Sequence, residues 1–325
     1  MSARPLPRTR ARLAVLAVAT SLALAGCGGS DDDGGTAEEP TSSAPASPSE
    51  SAAEPSTPAE TSEAPSESED AGEQVAAPVY FVGDGPSLAG RSRGPVLFRE
   101  FRDVDAADPV TDALELLLSG DALDPDYRSP LATPTAAGLA GTSLDGTGDQ
   151  AQVTLELADD SLVARPAGMS AREARTAAQA VVYTVSGIAQ ARVRVFATLD
   201  GAPTTLFGVP TENGLRSAPE LDVLNLVSVS DPAEGTTVSG SFTATGVGSS
   251  FEATIPWQVR RGEEVVLDGF TTAEGWIDGL YPWEAEVDVS GLEPGEYTFA
   301  AMTDDPTAGT EGFGPAEDTR TIVVE

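Results

Sequence analysis

Carboxylates are the only proton-transferring side chains present in number. The 325-residue sequence holds 52 Asp and Glu against 18 basic residues, every one of them Arg, with no His and no Lys, for a net charge of −34. A Ser-His-Asp or Cys-His site needs an imidazole that exchanges a proton near neutrality, so that chemistry is excluded. Schiff-base catalysis and Walker-type phosphate loops need Lys, and the common zinc sites need His or several Cys, of which there is one. Nucleic-acid binding needs a basic footprint, and this chain has the opposite sign. Carboxylate-only catalysis and non-catalytic binding remain.

Three adjacent acid pairs, Asp159-Asp160, Glu263-Glu264 and Asp304-Asp305, supply the residue type a glycosidase uses. Adjacent side chains in a strand or turn point apart, so the pairs read as solvated turns. No D-x-D-x-D-G loop marks a calcium site, and neither a metal nor another cofactor is expected. Arg91, Arg93, Arg99 and Arg102 make the densest basic cluster beyond the first twelve residues. Arg99 and Arg102 are candidates for bidentate contact with an anionic envelope polymer or a carboxylate-bearing partner. The competing reading pairs them with Glu100, Asp103 and Asp105. Trp276, Tyr281 and Trp283 cluster in residues 275–283, GWIDGLYPW. Such a group can stack on a sugar or anchor a protein partner, or it can fold its rings over the open end of a sandwich. Trp257, in phase with Ile255 and Val259, reads as core.

The single Cys has a different setting. Arg4, Arg8, Arg10 and Arg12 precede an apolar run over residues 13–25, and the run ends in Leu24-Ala25-Gly26-Cys27. Thirteen helical residues span about 20 Å, too short for a hydrocarbon core of about 30 Å. Residues 1–26 therefore read as a signal peptide. The Leu-Ala-Gly-Cys end resembles a bacterial lipobox. That resemblance implies cleavage before Cys27, a diacylglyceryl group on its thiol and acylation (palmitate) of the new amino terminus. Two or three acyl chains anchor stably where one is marginal. The expected location is the extracytoplasmic face of the cell membrane.

Residues 28–75 carry thirteen acids, no basic or aromatic residue, and one aliphatic larger than Ala, Val75. Such a segment cannot bury enough apolar surface to offset its ordering entropy. Residues 27–77 thus read as a disordered acidic tether, spanning roughly 40 Å if flexible.

Beyond it the pattern is α+β. Strands are expected at 78–82, 96–102, 151–157 and 192–197. Asp108-Pro109 opens a helix whose apolar face is Val110, Leu114, Leu117 and Leu118, with Gly120 closing it. Ser170-Ala171-Arg172-Glu173 is a capping box, and Ala174, Ala178, Val181, Val182 and Val185 face inward on the helix that follows. A small mixed sheet with two packed helices is the expected architecture over 78–210, with residues from about 121 to 148 as a loop.

Residues 221–325 read as all-β, with strands at 223–229, 237–245, 253–260, 264–270, 283–289, 296–302 and 319–324. Seven short strands over about 100 residues suggest a Greek-key sandwich.

Val79-Tyr80-Phe81, the REFRDV of residues 99–104, Ala113-Leu114-Glu115-Leu116-Leu117, Gln179-Ala180-Val181-Val182-Tyr183-Thr184-Val185, Val193-Arg194-Val195 and Asp200-Gly201 together resemble the sporulation and spore-germination GerMN domain. Asp121-Ala122 replaces the Pro expected after Gly120, a departure confined to a loop. Asp231-Pro232, Val238-Ser239-Gly240, the stretch 251–259 and the GLEPGEYTF of residues 291–299 resemble the immunoglobulin-like domain of bacterial spore germination. The expected lipid anchor, the acidic spacer and this tandem without catalytic chemistry point to a membrane-anchored, non-catalytic scaffold or binding module whose partner is an envelope protein or cell-wall polymer. The alternative is a carboxylate-dependent hydrolase of cell-wall glycan, which needs two carboxylates facing each other across a cleft.

Overall fold

The computed structural model describes residues 73–307 and 310–325. The expected signal peptide, Cys27 and the expected tether up to residue 72 lie outside the described residues. No helix among the described residues is long and apolar enough to cross a membrane.

The first domain begins with a hairpin. Strand β1 (Gln74–Asp84) runs out to β2 (Ser87–Leu88), turns at Ala89-Gly90 into β3 (Arg91–Ser92), and returns as β4 (Pro95–Asp105). Both turn residues have positive φ, the geometry a two-residue hairpin loop requires. β1 and β4 pair antiparallel from Gln74↔Asp105 to Asp84↔Pro95. The strand thus starts four residues before the expected 78. Gln74–Ala77, assigned by composition to the tether, are ordered by β4, which offers them a ladder, and Ala77 is buried.

Helix α1 (Pro109–Ser119) has the expected caps: Asp108 accepts from the Thr111 amide at 3.3 Å, and Gly120 closes it at φ 72°. Strand β5 (Leu139–Asp145) follows, within the stretch expected to be a loop, and pairs antiparallel with β6 (Gln152–Leu157). It is an edge strand with Gly141 at its bulge and an exposed Leu144, so its sequence shows little alternation. Helix α2 (Ala171–Ile188) starts with the capping box, Ser170 accepting from the Glu173 amide at 3.2 Å and Glu173 from the Ser170 amide at 2.7 Å. It crosses to β7 (Arg194–Leu199), which is parallel to β6, and β8 (Ala202–Pro203) completes a mixed sheet of order β5-β6-β7-β8. The short strands β9 (Thr205–Leu206) and β10 (Val209–Pro210) pair separately. The expected 78–82 and 96–102 strands form their own two-stranded sheet, apart from the mixed one, with α1 and α2 packed on it. Phe81, Leu97, Leu114, Leu117 and Leu155 are fully buried. Each such side chain stabilises the fold by about 1.5–3 kcal/mol.

The second half starts one element late. Residues expected to open the strand at 223 instead end the one-turn helix α3 (Glu220–Val223), which follows Pro219, and β11 (Val227–Asp231) begins beyond it. The expected 237–245 strand is broken at Ser239-Gly240, where Gly240 takes φ 67°. Its two parts enter different sheets, β12 (Thr236–Val238) and β13 (Ser241–Gly248). The remaining strands are β14 (Thr254–Arg261), β15 (Glu264–Thr272), β16 (Tyr281–Asp288), β17 (Gly295–Met302) and β18 (Glu317–Val324). Sheets of order β11-β13-β16 and β12-β18-β17-β14-β15 enclose Val229, Ile255, Val259, Val287, Phe299 and Ile322. The α+β class followed by an immunoglobulin-like sandwich is therefore the observed architecture.

Candidate functional site

The basic cluster spends its hydrogen bonds on holding neighbouring segments. Arg93 is buried, donates to the Leu221 carbonyl, and its own carbonyl accepts from Arg172. Arg91 donates to the Thr310 carbonyl at 3.5 Å. Arg99 donates to Ser230 Oγ at 2.6 Å and lies over the Phe101 ring at 5.0 Å. Arg102 pairs with Glu100 and Asp121, each at 3.2 Å, and donates to the Asp121 carbonyl. As candidates for an external anion, Arg99 and Arg102 are already engaged, Arg99 by the second domain and Arg102 within the first.

Arg102 also leads inward. Its partner Glu100 is buried and accepts from the Leu123 and Asp124 amides, which pins the loop that follows α1. That loop delivers Asp124 and Tyr127 against β18. Arg320 Nη1 donates to Asp124 Oδ2 at 2.6 Å, to the Tyr127 hydroxyl at 2.8 Å and to Asp318 Oδ1 at 3.2 Å. Its Nη2 donates to the Val229 carbonyl at 2.7 Å, and its guanidinium lies 5.2 Å from the Tyr127 ring centre. Tyr127 donates to Asp318 Oδ1 at 2.5 Å and stacks on Phe98, 4.9 Å between centroids. Asp318 accepts in addition from the Val229 and Thr319 amides. Beside this cluster the Asn225 amide donates to the Leu97 carbonyl, and its Nδ2 donates to the Val227 and Glu317 carbonyls.

Burial dominates the electrostatics. It pushes the Asp124 carboxyl up to about 7, against the pull of Arg320 and the Asp126 amide. It pushes Asp318 and Tyr127 up as well, while the surrounding acids hold the Arg320 guanidinium above its ordinary value despite desolvation. Two carboxylates of unequal environment are the signature a glycosidase would show. Here the Arg320 guanidinium occupies the space between them, where a glycosidic oxygen and its water would have to sit, and Asp124 and Asp318 are nearly fully buried. The arrangement can lock two domains together but cannot admit a sugar.

None of these four residues was among those picked out by composition and motif. The signal was present in β18, where Asp318 and Arg320 fall in phase with Ile322 and Val324 on the inward face. Two charges on a core-facing register announce a buried ion pair.

The aromatic group divides. Trp283 is 3 % exposed and belongs to the sandwich core, so burial removes it from the candidate binding residues. Its ring lies across Gly246 on the paired strand, where an added Cβ would come within 2.5 Å of Cζ2. Trp257 is half-buried against the same core. Tyr281 is half-buried, and its hydroxyl donates to Asp278 at 2.6 Å. Trp276 is 37 % exposed and meets Phe251 edge-on at 5.4 Å, and next to it Ile277 is 70 % exposed. Ile277 takes φ 82°, in the left-handed region that a β-branched side chain strongly disfavours.

The acid pairs serve turns or stay exposed. Asp159 accepts from the Ser161 amide at 2.8 Å, and the Ser161 side chain and then that amide lower its pKa, while Asp305 accepts from Thr307. Glu263 and Glu264 are exposed. Among the described residues no three His, Cys, Asp or Glu side chains converge to hold a metal ion.

Comparison with known families agrees with this architecture. Residues 78–205 match the sporulation and spore germination family, and residues 226–310 match the immunoglobulin-like domain of bacterial spore germination. The chain carries the two domains in that order. No curated protein matches it.

Proposed function

We propose that this chain is a lipid-anchored, extracytoplasmic envelope protein that works as a non-catalytic binding or scaffold module. Both matched families are germination-type or immunoglobulin-like domains, in keeping with a non-catalytic role. Cys27 and the apolar run before it supply the anchor, and the acidic segment that follows stands the folded part off the membrane.

The observation that carries the reading is the contrast between consumed charge and unconsumed apolar surface. Phe251, Trp276 and Ile277 remain exposed on two neighbouring loops of the sandwich. Glu252, Glu274 and Asp278 lie in the same loops, and no basic residue occurs between 217 and 259 or between 262 and 319. An apolar knob with an acidic rim fits a partner that offers an apolar recess edged by cations.

The test is a photo-crosslinking residue at position 276 in cells making the full chain, with position 144 on β5 as the control. One recurrent adduct from 276 and none from 144 is expected. A Cys27→Ser variant should lose palmitate labelling and leave the membrane fraction. Absence of any adduct together with turnover of purified peptidoglycan would overturn the reading in favour of the hydrolase.

A further inference from the structure

The junction between the domains contains more acid than base on side chains almost out of reach of water. Asp124, Asp318 and Arg320 are each no more than 3 % exposed, and no second guanidinium reaches the two carboxylates. Fully ionised, the cluster would carry a buried excess negative charge, which a low-dielectric site strongly disfavours. The groups around it do not supply the missing positive charge. Glu100 of β4 accepts the Asp124 amide, and its charge is matched by Arg102. Asp126 in the same loop is acidic, as is Glu234 between β11 and β12, which accepts the Thr321 amide. Arg260 on β14 is matched by Glu317.

We propose that the domain junction is a proton-linked latch: the Asp124–Arg320–Asp318 cluster takes up one proton as the medium acidifies, and the two domains dock more tightly when it is held. Unequal hydrogen bonding places the proton. Asp318 accepts from four donors, Tyr127, the Val229 and Thr319 amides and Arg320, which oppose the rise that burial gives its carboxyl. Asp124 accepts from two, Arg320 and the Asp126 amide. Burial correspondingly lifts Asp124 to about 7. A carboxyl raised above its unfolded value adds stability that is fully present below about 4 and is lost as pH rises through about 7.

Composition makes this latch conspicuous. With no His and no Lys, and one Cys outside the cluster, almost nothing else in the chain titrates between pH 6 and 8.5. A pH response in that window reports on the junction.

The experiment is thermal unfolding of the full chain in detergent at pH 6 and 8.5, with amide exchange of Asn225 and Val229 corrected for its intrinsic pH dependence. The midpoint should be about 3–5 °C higher at pH 6, with both amides better protected. Asp124→Asn, which imitates the protonated form, should show the pH 6 behaviour at both values. A wild-type response that is flat, or one that survives in Asp124→Asn, would overturn the proposal. If that variant does not fold, the carboxyl carbon of Asp124 in the wild-type chain decides by NMR. A titration midpoint near 7 supports the latch, and one below about 5 refutes it.

Discussion

The domain junction and the aromatic loops of the sandwich hold side chains with the same potential for recognition, and the fold treats them in opposite ways. At the junction Arg320, Asp124, Asp318 and Tyr127 satisfy one another out of contact with water. In the loops Phe251, Trp276 and Ile277 are left exposed, one of them in a strained backbone conformation. A satisfied polar cluster is a structural element, because an incoming ligand would have to break bonds that are costly to leave unmade. Exposed apolar side chains around a strained turn are the better candidates for contact with another molecule.

Substitutions can break that contrast. Arg320→Ala removes the one cation from two buried carboxylates and should cost about 3–5 kcal/mol in denaturant unfolding, with loss of protection at the Asn225 amide. A cost below about 1 kcal/mol would show that the domains are held by something else. Trp283→Ala should cost a comparable 3–5 kcal/mol, because its ring fills the core across Gly246. Tyr127→Phe keeps the stack on Phe98 but removes a hydrogen bond to a charged acceptor, worth about 1.5–3 kcal/mol. Trp276→Ala should stay within about 0.5 kcal/mol of the parent in stability while abolishing partner adducts from the neighbouring position 277. A Trp276 variant as damaged as Trp283→Ala would make the loop a structural lid and remove the basis of the functional reading.

Much of the architecture was legible because it is local. Asp108-Pro109 and Gly120 bound α1 as their cap chemistry requires, and the Ser170–Glu173 box opens α2. Most of the sandwich strands follow their period-two alternation. Strand β5 was not legible, since an edge strand with Gly and an exposed Leu144 has one side without packing demands. The break at Gly240 was hidden for another reason: each half alternates acceptably, and only the sheet each half joins separates them. Trp283 was legible in two ways. It shares the phase of Ala285, Val287 and Val289, whereas its neighbourhood of Gly and Pro suggested a surface loop.

The sequence by itself determined the exclusions and the elements. Absent His and Lys removed most catalytic chemistry, and spacing within a few residues set helices, caps and strand faces, since those depend on contacts along the chain. Tertiary structure alone decided which charges meet. Arg320 reaches Asp124 and Tyr127 across more than 190 residues, and Arg99 reaches Ser230 across 131. Such pairings are set by how sheets and loops pack, and no local spacing encodes them. The same packing turned the one core-facing arginine of β18 from one charge among many into the bolt between two domains.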